Sequence, residues 1–132
     1  MTNKEIRISY IEYNGIDELK TDDQELVKAA IAATATAYAP YSNFHVGAAV
    51  RFEDGEVVQG SNQENAAYPS GICAERTTLF YASASRPGKP MAALAIAACQ
   101  GGKLIEEPVT PCGACRQVMA QYQLKSGMPM RI

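Results

Sequence analysis

The sequence lacks a basic excess. Lys plus Arg number 12, Asp plus Glu number 14, and the formal charge is −2. A protein that grips long nucleic acid by its phosphates needs a basic face, so polymeric nucleic acid is set aside as a partner. A single nucleotide or nucleoside is not. Long apolar runs are also missing. Ala29 to Val50 carries no Asp, Glu, Lys or Arg, but Pro40 and Gly47 interrupt it, and Thr34, Thr36, Ser42, Asn43 and His45 are polar. That punctuation does not suit a bilayer-spanning helix, so no membrane partner is expected. No basic-then-apolar leader opens the chain, and no internal repeat is visible. Tryptophan is absent, histidine occurs once and cysteine four times. Four cysteines without a leader point to a reducing, cytoplasmic setting, where thiols serve as metal ligands or stay buried.

What is present describes an ordinary globule: 132 residues, 47% apolar and 20% charged. That length fits one domain over residues 1–132, with a core large enough to need no disulfide staples. Residues 5–13 alternate Ile6, Ile8 and Tyr10 with polar neighbours and predict an edge strand. Thr21 with Gln24 is a capping box opening a helix from about Asp22 to Tyr38, which Pro40 ends. Phe44 to Phe52 and Glu56 to Gly60 flank Asp54-Gly55, a strong hairpin signal. A second helix is expected over Cys73 to Ser83, a buried strand over Ala92 to Ala98, a loop from Gly101-Gly102, and a third helix over Cys112 to Tyr122. Met128 to Ile132 begins another strand. The order β-α-β-β-α-β-α-β is that of an α/β domain with helices on a mixed sheet.

Chemistry concentrates in three segments: Cys73-Ala74-Glu75-Arg76, Pro111-Cys112-Gly113-Ala114-Cys115 and Asn62-Gln63-Glu64-Asn65. Cys112 and Cys115, three apart at a helix start, put both sulfurs on one side of the first turn. Cys73 also sits at a helix start, where free N–H groups favour thiolate over thiol. Two such starts facing each other present three thiolates to one cation. Structural zinc sites usually fill four protein positions, whereas catalytic sites leave one for water. Bound zinc lowers the pKa of water from about 15.7 to about 7. Glu75 is placed to take the released proton. Arg76, donating to a thiolate, would offset the negative charge of the sulfur cluster.

These residues resemble the zinc-dependent cytidine deaminase family, over about residues 21–125. The signature of the zinc deaminases is Cys-or-His, x, Glu followed by Pro-Cys-x-x-Cys. It reads here Cys73-Ala74-Glu75 and then Pro111-Cys112-Gly113-Ala114-Cys115. The three-Cys version with Arg after the Glu resembles the small homotetrameric type. Tyr41-Ser42-Asn43-Phe44 followed by Val46-Gly47-Ala48 resembles a family segment whose Phe packs on the pyrimidine. Asn62-Gln63-Glu64-Asn65-Ala66-Ala67-Tyr68 resembles another, in which Asn62 and Glu64 would hold the ribose 3′-hydroxyl.

The resemblance implies a three-layer α-β-α sandwich with one zinc per chain on Cys73, Cys112 and Cys115. It implies hydrolysis of cytidine or deoxycytidine to the uridine form plus ammonia, in pyrimidine salvage. Zinc-bound hydroxide would attack C4 with Glu75 as proton shuttle, and backbone near Ala74 would read the pyrimidine edge. A homotetramer with shared sites is also implied, with Tyr68 the candidate to reach across. Residues 1–20 extend beyond the usual family start, and the C-terminal strand and tail look incomplete.

Rival readings stand beside these. Cys112-Gly113-Ala114-Cys115 alone suits a redox dithiol, though no Trp precedes it and Cys73 and Glu75 then go unexplained. An antibiotic deaminase of the blasticidin S type shares the cysteine elements. A zinc-binding interaction domain without turnover would need neither Glu75 nor an open coordination position. Phe44 as plain core and Asn62 and Glu64 as loop caps are the structural alternatives. His45 and Cys99 read as structural residues.

Overall fold

The computed structural model describes residues 1–132. The elements run α1 (Thr21–Ala33), β1 (Phe44–Phe52), β2 (Val57–Ser61), α2 (Ala74–Ser85), β3 (Met91–Gln100), β4 (Lys103–Leu104) and α3 (Gly113–Ser126). The strand order is β2-β1-β3-β4, with every neighbouring pair antiparallel. On this sheet a parallel pairing appears only as an isolated bridge between Ala93 on β3 and Arg131, outside the strand ladders.

Strand alternation divides the core into two layers. Ala48, Val50 and Phe52 of β1 pack with Leu79 and Ala82 of α2 and Cys115 and Met119 of α3. Ala49, between them in sequence, joins Ala93 and Ala95 of β3 under Leu26 and Ala30 of α1. Helices therefore cover both faces, giving the expected α-β-α layering. Small residues set how closely α1 approaches. A Cβ built on Gly47 of β1 would lie 2.1 Å from the Ala30 carbonyl oxygen and 2.7 Å from the Thr34 nitrogen. Both are backbone atoms, so relief requires moving α1. Gly47→Ala is expected to cost about 3 kcal/mol, the upper part of the usual overpacking range. Chemical denaturation reads this directly, and an unchanged midpoint would contradict the packing.

The hairpin forms where Asp54-Gly55 predicts it: Gly55 has φ +89° and the Asp54 carboxylate accepts the Glu56 N–H. Other expectations shift. Residues 5–13 form no strand, and Ile6, Ile8 and Tyr10 remain 91%, 87% and 83% exposed. Alternation suits a chain for a sheet, but a strand exists only where a ladder partner lies beside it. At α1 the N-cap is Lys20, and the Gln24 amide donates to the Leu19 carbonyl at 2.9 Å, so the capping box does not form. The helix ends at Ala33 rather than Tyr38, in a 3₁₀ turn over Thr34–Thr36. There the Thr34 and Thr36 hydroxyls donate to the Ile31 and Ala33 carbonyls, the back-bonding that favours leaving a helix. Gly101 and Gly102, both at positive φ, turn β3 tightly into β4 where a loop was expected.

Helix α1 is tied to β1 and to Arg131 by charge. The Asp23 carboxylate accepts from Arg51 on β1 and from both terminal nitrogens of Arg131, each at 2.9 Å. These guanidinium groups, Arg131 foremost, hold the Asp23 carboxyl below the usual range.

Candidate metal centre

Cys73 is the N-cap of α2 and Cys112 the N-cap of α3, both with extended backbone. Cys115 lies in the first turn of α3, and its N–H donates to the Cys112 sulfur at 3.4 Å. The cap bond thus aims one sulfur at the other and leaves a second free N-terminus opposite it. Cys73 Sγ lies 3.9 Å from Cys112 Sγ, and Cys112 Sγ 3.4 Å from Cys115 Sγ. All three sulfurs fall within 4.8 Å of one another. A tetrahedral ion bonded at about 2.3 Å requires sulfurs about 3.8 Å apart. The spacing and the soft donor set therefore fit zinc.

The three thiols differ in surroundings. Cys115 is wholly buried within the larger core cluster, Cys73 is half-buried and Cys112 exposed. The Cys115 N–H pulls the Cys112 thiol below its usual value. Burial, first of all, pushes the Cys115 thiol up, and the nearby Glu75 charge adds to it. The Arg76 guanidinium donates from Nη2 to Cys73 Sγ at 3.7 Å. Its Nε is buried without a hydrogen-bond partner.

Glu75 occupies the second position of α2 and is only 6% exposed. No protein hydrogen bond reaches its carboxylate, and its oxygens keep access to solvent: the buried polar atoms left without a partner are Arg51 Nη1 and Arg76 Nε. Ala74, the first residue of α2, is fully buried beside it.

A second group of residues lies next to Cys73. Gln63 and Ile72 exchange both backbone hydrogen bonds, at 3.0 and 2.9 Å. That bridge sets the Asn62–Glu64 segment against the approach to Cys73. The Asn62 amide donates to the Phe44 carbonyl at 2.9 Å and accepts from the Val46 N–H at 2.8 Å. The Glu64 carboxylate accepts from the Tyr41 and Ser42 N–H groups and from the Ser42 hydroxyl. Both side chains thus brace the loop that leads into β1, as the loop-cap alternative anticipated, and each keeps capacity for further bonds. Phe44 is half-buried at the start of β1. Tyr68 stands 92% exposed on a 3₁₀ turn. Cys99 lies apart from the cluster and accepts from the Thr34 hydroxyl. His45 sits opposite Cys99 across the β1–β3 pair.

Ser42 lies in the Tyr41-Ser42-Asn43-Phe44 segment, but nothing in that pattern assigns it a role. Its only local signal is the habit of a serine hydroxyl to bond the N–H two residues on, which it does with Phe44 at 3.1 Å.

Known proteins resemble this chain in sequence and in fold. The family model described as the cytidine and deoxycytidylate deaminase zinc-binding region matches residues 20–128. A cytidine deaminase of Halalkalibacterium halodurans is 50% identical over 76% of this chain and 71% of its own length. The crystal structure of a cytidine deaminase from Burkholderia pseudomallei superposes with a TM-score of 0.63 at 52% identity, covering 72% of each chain. That of the Mycobacterium tuberculosis cytidine deaminase gives 0.67 at 40% identity, covering 78% of this chain and 79% of that one.

Proposed function

The chain belongs to the cytidine and deoxycytidylate deaminase family, and from that premise we propose that it hydrolyses cytidine or deoxycytidine to uridine or deoxyuridine plus ammonia. The observation that carries this reading is Glu75: a carboxylate on a largely buried helix start, its oxygens free of protein hydrogen bonds, beside three sulfurs spaced for one zinc ion. Cys73, Cys112 and Cys115 would hold that ion, leaving a fourth tetrahedral position to solvent. Zinc, when bound, supplies water whose pKa falls from about 15.7 to about 7.

The remaining steps belong to the protein's own groups. Glu75 takes one proton from the attacking water and delivers it to N3 of the pyrimidine. It then moves the remaining proton of the hydroxyl now on C4 to the amine, which leaves as ammonia as the C4 carbonyl forms. Its lack of a protein partner leaves both carboxylate oxygens for this traffic. Arg76 offsets the charge of the sulfur cluster. The backbone at Ala74 reads the pyrimidine edge and Phe44 packs on the ring. Asn62 and Glu64 use their spare donor and acceptor capacity on the sugar hydroxyls. The same reading extends to a cytoplasmic salvage enzyme whose sites are shared in a homotetramer. Tyr68 is exposed to reach across, and the exposed Phe80 and Tyr81 offer α2 an aromatic face.

A site built for hydroxyls discriminates strongly against their absence. Free cytosine is therefore expected to be a far poorer substrate than cytidine, and Glu64→Ala to narrow the gap. The test is ammonia release from cytidine, deoxycytidine, cytosine, CMP and blasticidin S. Equal rates on base and nucleoside would remove the sugar assignment. Turnover of blasticidin S in preference to cytidine would move the chain to the antibiotic branch.

A further inference from the structure

The geometry points to Ser42 as a positioning residue for the nucleoside, coupling the Glu64 carboxylate to the backbone that presents Phe44. This inference rests on the nucleoside reading above. The Ser42 hydroxyl donates to Glu64, and the same oxygen accepts the Phe44 N–H at 3.1 Å. The Ser42 N–H donates to the other carboxylate oxygen at 3.3 Å, and the Tyr41 N–H does so at 2.9 Å. Asn43 follows in the left-handed region, with φ +52°. Asparagine tolerates that conformation better than most residues. Its N–H donates to the Ala39 carbonyl at 3.0 Å, closing the turn from which β1 starts.

From the other side Asn62 takes the Phe44 carbonyl. Both backbone groups of Phe44 are therefore held by side chains, one directly by Asn62 and one through Ser42 by Glu64. The residue assigned to the base and the two assigned to the sugar form one hydrogen-bonded unit, with Ser42 as the exposed link between them. The Ser42 hydroxyl is also the first cause holding the Glu64 carboxyl below its usual value.

Removing the hydroxyl leaves Glu64 with backbone donors only and frees the Phe44 N–H. In the zinc-loaded full chain, Ser42→Ala is expected to raise KM for cytidine about tenfold, the worth of a hydrogen bond to a charged group. The change in kcat should be smaller, because the sulfur cluster and Glu75 are untouched. The Glu64 carboxyl carbon, followed by nuclear magnetic resonance, should titrate at higher pH than in the parent. Ser42→Thr keeps the hydroxyl and should restore both. A KM within about twofold of the parent would overturn the coupling. So would a loss shared equally by kcat and melting temperature without rescue by threonine. If the unchanged chain released no ammonia from cytidine, the activity reading would fall by itself. The carboxyl titration would still decide the coupling: unmoved in Ser42→Ala it overturns the link, raised and then restored by threonine it supports it.

Discussion

Glu75→Gln is expected to keep the fold and the zinc and to lose about 10²–10⁴ in turnover, the usual worth of general acid–base catalysis. The substitution changes almost nothing in shape. Glutamine is isosteric, the position stays at the first turn of α2, and the sulfurs of Cys73, Cys112 and Cys115 are not altered. What disappears is a group that can accept a proton from water and return it to nitrogen. Stability should move differently. The Glu75 side chain is largely buried while its oxygens keep access to solvent, so an isosteric amide in its place changes the folding energy little. The melting temperature should therefore hold while the rate falls. A residue conserving structure alone would lose both together. Ammonia release, metal content and thermal melting on one preparation separate these outcomes. Near-parental turnover would take Glu75 out of the mechanism.

The site was more legible than its surroundings for a physical reason. Pro111 before Cys112, with Cys115 three residues on, describes a helix start by local rules alone, and α3 begins there with Cys112 as its cap. The same holds for Cys73 at α2 and for the Asp54-Gly55 hairpin. Each depends on the conformations of a few neighbouring residues. Features that failed or were missed depend on remote partners. Residues 5–13 have the alternation of a strand, but alternation does not say which edge, if any, receives them. The salt bridge from Asp23 to Arg131 joins positions 108 apart, and no periodicity announces it. Asn62 and Glu64 show the intermediate case. Their motif marked them as important, yet their bonds to the Tyr41–Val46 loop appear only once that loop is folded against them.

Removing the sulfurs one at a time should separate metal binding from packing. Cys112→Ala and Cys115→Ala are both expected to drop zinc well below one per chain and to abolish measurable deamination, because two thiolates leave a catalytic ion under-held. Their folding costs should differ. Cys112 is exposed at a helix cap, so its loss removes one cap bond, typically about 1 kcal/mol. Cys115 is fully buried in the core cluster with Leu79 and Met119, so its loss also leaves a cavity. Compared as zinc-free proteins, Cys115→Ala should therefore melt lower than Cys112→Ala. Acid works on the same residues. Burial pushes the Cys115 thiol up, and the proton it retains competes with the metal. Zinc uptake should accordingly release protons and weaken as pH falls, which titration calorimetry in buffers of different ionisation enthalpy reads directly. Cys112→Ala retaining one zinc per chain and full turnover would dismantle the three-sulfur assignment, and with it the open fourth position that Glu75 is placed to serve.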